Sequence, residues 1–349
     1  MSKRNMLTPQ RGGMEVFTDS LATALRARGH TVDWLLEGEV MSMGRAPRSA
    51  RSGSARSESW SERYDVAISV SHAGRGLERS PLPIVTACHG TGMMELMSAF
   101  AASKSAVGVA RVLKRLLLLP LDVRRWRRAS VVVSVGEQVQ ESLANWPYCR
   151  SDAILIPNGV ESVGAEREAR SISSLPESLN YFLYVGRLAA DKNVHFLLQV
   201  MQRLPDDGPA LVIAGSGPED AALRLEVKDA NLGARVRFLG DIDRAEVLAL
   251  MGKAKAVVFP GVRREGLSIS LLEALSVGSP IVATRVAAPP SLAASGIQVL
   301  PLEAGAWSDT LVDDLDRTSL PGRFTMSACV DAYVQVLRRV SEERRHDVQ

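Results

Sequence analysis

Two short runs in the second half of this 349-residue chain place charged groups where they could hold and release an anion. In the first, Val185-Gly186-Arg187-Leu188, a glycine ends an apolar run and a cation follows it. Lys192 lies five residues further on, where a helical pattern begins. Helix N-termini attract anions through unpaired N–H groups and aligned peptide dipoles. Arginine and lysine converging there would hold a diphosphate and stabilise it as it departs. Taken alone, these residues read better as solvated surface charges. The second run, Glu265-Gly266-Leu267-Ser268-Ile269-Ser270-Leu271-Leu272-Glu273, sets two carboxylates eight residues apart. A helix starting near Ser268 hangs Glu265 over the preceding loop and puts Glu273 inside the helix. Carboxylates accept hydrogen bonds from paired hydroxyls, so the two could grip sugars at either end of a diphosphate. The plainer reading is a capped helix with one solvated glutamate.

Other candidates each have a structural rival. His89, followed by Gly90 and Thr91 after an apolar run, fits a core histidine and a site residue equally well. Asn158-Gly159 reads as a turn. Gly215-Ser216-Gly217 resembles half of a dinucleotide fingerprint, but Pro218 and Glu219 look like a helix start, which argues against a nicotinamide site. Asp241-Ile242-Asp243 has the spacing of a metal-binding Asp-x-Asp. Asp243 with Glu246 three residues later is better explained as an N-cap and capping box. The five histidines show no close pairing for zinc.

The elements that must position these residues alternate between strand and helix, the pattern of parallel sheets flanked by helices. In the first half Val16, Phe17, Leu21, Ala24 and Leu25 share a helix face, with Gly29 as a stop. Strands are expected at Thr31–Leu36, Asp65–Val70, Pro83–Ala87, Ser130–Val135 and Ala153–Ile156. Met43–Glu62, rich in Ser, Arg and Gly, reads as a loop. After a polar linker at Val160–Leu179, strands are expected at Tyr181–Val185, Leu211–Ala214, Val236–Leu239, Ala256–Phe259 and Ile281–Ala283. Helices are expected at Val194–Leu204, Glu219–Ala230, Asp243–Met251, Ser268–Val277 and Ser327–Val340. Length alone suggests about two domains. The division expected is a Rossmann-like domain over 1–160, a linker over 161–179, a second Rossmann-like domain over 180–325 and a C-terminal helix over 326–349 packing back on the first domain. Ligands of such folds favour the carboxyl ends of the strands.

These elements together resemble the retaining, metal-independent glycosyltransferases of the GT-B fold, family 4. The resemblance rests on Gly186-Arg187 with Lys192, Ala214-Gly215-Ser216-Gly217-Pro218, Val236-Arg237-Phe238-Leu239-Gly240, and Glu265 through Glu273 followed by Ala274-Leu275-Ser276-Val277-Gly278-Ser279-Pro280. Gly12-Gly13-Met14-Glu15, His89-Gly90 and Ile156-Pro157-Asn158-Gly159-Val160 carry it more faintly in the first half. It implies an α/β fold with two Rossmann-like βαβ domains facing a central cleft. Carried over residue by residue, it implies that Arg187 and Lys192 bind the diphosphate, Glu273 the ribose and Glu265 the transferred sugar. Amides around Gly266, Leu267 and Ser268 would cap the phosphates, and Gly215, Phe238 and Gly240 would line the base. Gly12 and Gly13 would let the backbone approach the phosphates, and His89 would lie near the sugar and the acceptor. The resemblance implies a nucleoside-diphosphate sugar as substrate, a glycan or lipid-linked acceptor, and no metal or other cofactor. Two departures stand out. Only Met6 and Leu7 precede Pro9, so the first strand is expected to be short or truncated. Ala287-Ala288-Pro289-Pro290-Ser291 stands where the family commonly has Gly-Gly-x-x-Glu.

Charge adds a possible second partner. The net charge of +3 is too small for a general polyanion binder, yet Lys104–Arg128 holds eight cations against one anion, Asp122. These cations flank an apolar stretch at Leu113–Leu121, which fits either an anionic membrane surface or a core helix with solvated arginines. Apart from Trp126 no aromatics interleave them, so nucleic acid is not expected as a partner. Three cysteines at unrelated spacings, no signal sequence and no run of about 18 apolar residues give the expectation of a cytoplasmic protein, with the inner face of the membrane as an alternative peripheral location. An epimerase or phosphorylase on the same fold, and a non-catalytic membrane-associated scaffold with a residual donor site, remain as alternatives.

Overall fold

The computed structural model describes residues 13–33, 63–70, 82–91, 94, 96, 113, 116, 117, 120, 123, 124, 126–145, 152–162, 175, 176, 178–263 and 266–347. The chain divides into two compact units, residues 1–159 with 326–349, and residues 160–325.

The first unit begins with α1 (Gly13–Ala27), which buries Phe17, Leu21, Ala22 and Leu25 along one face. Gly29, at φ +85°, closes it. The Gly29 and His30 amides donate to the Arg26 and Leu25 carbonyls, so the left-handed glycine ends the helix by satisfying its last acceptors. A parallel sheet follows in the order β1 (Ala67–Val70), β2 (Ile84–Cys88), β3 (Val131–Ser134), β4 (Ile154–Leu155). The sequences of β2 and β3 are almost uniformly apolar, as expected for strands covered on both faces. Between β3 and β4, α2 (Glu137–Ala144) buries Val139 and Leu143 against Trp126, Val132 and Cys88. The strand expected from Thr31 is absent over 31–33, where the Arg26 Nε donates to the Val32 carbonyl. Its remainder and the loop expected at Met43–Glu62 lie outside the described residues.

The second unit is a six-stranded parallel sheet ordered β10-β9-β8-β5-β6-β7. Its strands are β5 (Tyr181–Val185), β6 (Ala210–Ala214), β7 (Val236–Gly240), β8 (Ala256–Phe259), β9 (Ile281–Thr284) and β10 (Gln298–Leu300). The helices between them are α3 (Val194–Met201), α4 (Asp220–Asp229), α5 (Arg244–Lys253), α6 (Ile269–Ser276) and α7 (Ala304–Val312). Chain direction across the sheet reverses at β5, which has β6 on one side and β8 on the other. That reversal opens a crevice beyond the strands' carboxyl ends, the usual ligand position in this architecture. Leu198, Leu211, Ile213, Val258 and Trp307 fill the core, with the Phe196 and Trp307 rings meeting edge to face at 5.3 Å. Neither β10 nor α7 is expected from sequence. The first is three residues long, two exposed and one half-buried, and the second buries only Trp307, Ser308 and Leu311.

The last helix, α8 (Met326–Asp347), returns to the first unit. Arg28 on the α1 side pairs with Asp331 at 2.8 Å and donates to the Ser327 carbonyl at 3.2 Å. Such exposed pairs add little by themselves. The attachment rests on burial of Cys329, Val330, Tyr333 and Val340.

Candidate active site

In the second unit, three strand ends are laced together through backbone. Gly186 donates to the Ala214 carbonyl, Leu188 to Ser216, Gly215 to Gly240, and Glu219 to Leu188, at 2.7–3.0 Å. The glycines are required by contact. A Cβ on Gly215, at φ +130°, would stand 2.1 Å from the Gly186 carbonyl oxygen. One on Gly217 would stand 2.2 Å from the Leu188 carbonyl oxygen. The Gly-Ser-Gly run therefore serves the stacking of two loops, which accounts for it without a dinucleotide site.

The crevice between β5 and β8 is bridged in the same way. The Val262 amide donates to the Asp191 carbonyl at 3.1 Å, and the Asn193 side-chain amide donates to the Pro260 carbonyl at 3.3 Å. Asn193 takes the left-handed conformation, φ 54°, to turn the 3-10 segment Ala190–Lys192 into α3. Arg187, whose carbonyl accepts from the Tyr184 hydroxyl at 3.0 Å, extends an outward side chain, 62% exposed and 3.7 Å from the Asp191 carboxylate. A second arginine, Arg263, reaches the other oxygen of Asp191 at 4.0 Å. The sequence reading missed Arg263. Its signal was its place two residues before Glu265, in the loop already singled out.

On the β8 side, Gly266 and Leu267 lead into Ser268, which caps α6. Glu273 sits within α6 with its side chain only 8% exposed, paired at 2.7 Å with Nε of Arg244. Burial pushes its carboxyl above the usual range, and the guanidinium beside it pulls the other way. A solvated glutamate is thus not what the fold makes of this residue. Glu265 lies outside the described residues, as does Gly12. Phe238 is half-buried against the core, with the Arg224 guanidinium 4.3 Å over its ring. Gly240 adopts φ +67° and hands the chain to Asp241, which accepts from the Ser216 hydroxyl at 2.9 Å. Asp243 caps α5 by accepting from the Glu246 amide at 2.9 Å. The reciprocal half of the expected capping box is missing, because Glu246 Oε1 is buried without a partner. Among the described residues no group of His, Cys, Asp and Glu is arranged to hold a metal ion.

In the first unit, Gly13 opens α1, and one turn later Phe17 meets the His89 ring edge to face at 5.3 Å. His89 follows β2. Its Nε2 is covered and has no hydrogen-bond partner among the described residues. Burial pushes its pKa down to about 4, so the ring is neutral at physiological pH. Thr91 beyond it shares a 2.7 Å hydrogen bond with Ser142 and accepts from the Met94 amide. Asn158, after β4, is buried, and its amide donates to the Val135 carbonyl at 3.2 Å.

The second unit therefore gathers two arginines, the loop carrying Lys192, a capped helix start and a buried carboxylate around one topological switch point. The first unit offers a neutral imidazole with an unused nitrogen. The family model described as Glycosyl transferases group 1 matches residues 165–317, and that of Glycosyltransferase Family 4 matches residues 11–162. The O-antigen chain mannosyltransferase C of Escherichia coli is 23% identical over 285 residues, 76% of this chain and 75% of that protein. The phosphatidyl-myo-inositol mannosyltransferase of Mycobacterium tuberculosis is 31% identical over 186 residues, 50% of this chain and 48% of that protein. Among solved structures, Anabaena HepE in complex with UDP and glucose shares the fold, with a TM-score of 0.62 at 15% identity, covering 98% of this chain and 97% of its own. With both halves matched by glycosyltransferase models and both sheets parallel, the chain belongs to the family 4 glycosyltransferases of the GT-B fold.

Proposed function

We propose that the chain moves a sugar from a nucleoside-diphosphate sugar to a glycan or lipid-linked acceptor in polysaccharide or cell-envelope assembly, with retention of anomeric configuration. The observation that carries this reading is the set of groups around the β5–β8 switch point. Arg187 and Lys192 neutralise the charge that develops on the departing diphosphate, each contributing about 2–4 kcal/mol to the transition state. Glu273 accepts from the ribose, Glu265 from the transferred sugar, and amides of Gly266, Leu267 and Ser268 meet the phosphates. No step asks for a metal or another cofactor.

The acceptor falls to the first unit. For His89 to meet a hydroxyl of the sugar or acceptor its covered Nε2 must first be exposed, and the bond would then satisfy an atom that has no partner among the described residues. A lipid-linked acceptor is supported by the basic segment. Within it Leu113, Leu116 and Leu117 are exposed on helical backbone, as are Arg124, Arg127 and Arg128, while Trp126 is buried. Among the described residues no helix is long and apolar enough to cross a membrane, so the reading is reversible adsorption to an anionic, cytoplasmic surface. The relatives named for O-antigen chains and for phosphatidyl-myo-inositol support acceptors of these two kinds.

The test is a thermal-shift panel of nucleoside diphosphates and their sugars against the purified chain. A ligand at about 100 times its dissociation constant stabilises the folded state by roughly 2.7 kcal/mol. One base should stand out, and its sugar nucleotide should be consumed in a transfer assay. A panel in which nothing raises the melting temperature would sink the reading.

A further inference from the structure

We propose that Arg244 is a positioning residue for donor binding, holding Glu273 ionised and turned so that its carboxylate can receive the ribose hydroxyls. This inference rests on the reading that Glu273 holds the ribose, and it concerns a residue that no sequence motif singles out.

A carboxylate buried as deeply as Glu273 favours its protonated form, because the interior solvates the anion poorly. A protonated glutamate has lost one of the acceptors that a pair of ribose hydroxyls requires. Arg244 is the ion-pair partner of Glu273 among the described residues, with Nε 2.7 Å from Oε1. Charge-assisted bonds of this length are the strong ones, and the planar guanidinium fixes the orientation of the group it meets. Nε engages Oε1, and on this proposal the other carboxylate oxygen meets the ligand.

The place of Arg244 argues for a purpose beyond its own helix. It is the first residue of α5, where the helix dipole disfavours a cation. The segment that carries it is anchored twice, by Asp243 capping α5 and by the Ser216 hydroxyl on Asp241. α5 also packs on α6, the helix bearing Glu273. The Arg244 side chain stays 38% exposed, whereas that of Glu273 is only 8% exposed.

The test uses the full chain as parent, Arg244→Met, Arg244→Lys and Glu273→Gln. Isothermal titration with UDP, GDP, ADP and TDP between pH 6 and 8.5 is compared with inorganic pyrophosphate, which has no ribose. The parent should bind one nucleotide with little pH dependence. Arg244→Met should bind it at least tenfold more weakly at pH 8.5 and more weakly still as the pH falls to 6, because burial, which favours the protonated carboxyl, is then no longer opposed by the guanidinium. Its pyrophosphate affinity should be parental. Arg244→Lys should restore the flat pH profile and recover only part of the affinity. Glu273→Gln should bind weakly at every pH. Parental nucleotide affinity in Arg244→Met, or an equal and pH-independent loss for nucleotide and pyrophosphate, overturns the inference. If Arg244→Met does not fold, parental nucleotide affinity in Arg244→Lys overturns it instead. A parent that binds none of the nucleotides, or a Glu273→Gln variant that binds like the parent, refutes the underlying reading of the site, and the inference falls with it.

Discussion

The carboxyl ends of the two sheets are built differently. In the second unit the loops after β5, β6, β7 and β8 are joined by backbone hydrogen bonds, with glycines where no Cβ fits. In the first unit the His89 ring packs against Phe17, and its Nε2 has no partner among the described residues. A leaving diphosphate presents the same charge in every turnover, and fixed dipoles and cations stabilise it best when they need not reorganise. A hydroxyl acceptor makes weaker and more varied demands. On the proposed function, the laced loops would serve the constant chemistry of the donor, and the covered His89 would serve the more varied acceptor.

The largest effect expected from breaking this contrast is at the second unit's cations. Arg187→Ala and Lys192→Ala should each lower turnover by about 100-fold or more. Folding should survive in Arg187→Ala, since that side chain lies mostly in solvent. Steady-state kinetics with a circular-dichroism melt checks both, and parental rates in both variants would remove the diphosphate assignment.

A smaller effect, confined to the first unit, comes from His89. Its folded pKa of about 4 lies below the ordinary imidazole value of 6.5. The native state therefore binds fewer protons, and the stability this confers is present above pH 6.5 and lost as the pH falls toward 4. The loss should be on the order of 2 kcal/mol. His89→Gln should flatten that acid limb, read as urea midpoints at pH 7 and pH 4.5 for both proteins. Equal acid slopes would mean that the imidazole is not held neutral by burial.

The smallest effect should leave the second unit untouched. Changing Arg124, Arg125, Arg127 and Arg128 together to serine should reduce sedimentation with anionic vesicles several-fold at low salt. Each cation contributes up to about 1 kcal/mol near such a surface, less as salt screens it. Nucleotide affinity should not change. If the parent fails to sediment with anionic vesicles at low salt, the segment is a solvated helix and a soluble acceptor becomes the better assignment.

Features that depend on near neighbours were open to reading from the chain alone. β5 and β8 have the bounds that their apolar runs indicate, and Asp243 and Ser268 cap their helices as their types suggest. Each of these follows from side-chain patterning or from a hydrogen bond three residues away, so a short window contains the cause. The motifs around Arg187 and Glu273 were legible for the same reason, since each is carried by a single strand-to-helix junction.

The residues' partners were decided only by folding. Arg244 and Glu273 are 29 positions apart, and their pairing depends on α5 lying against α6, which neither sequence records. Arg263 meets Asp191 because β8 pairs with β5 across the reversal. His89 has its Nε2 covered and its ring against Phe17 of α1, and burial lowers its pKa. Burial and electrostatics depend on distances in space, and a buried carboxylate or imidazole takes its charge state from whichever chain segments close over it. The sequence of this protein determined which groups could bind a diphosphate and a pair of hydroxyls. Tertiary packing decided which of them are buried and which are paired.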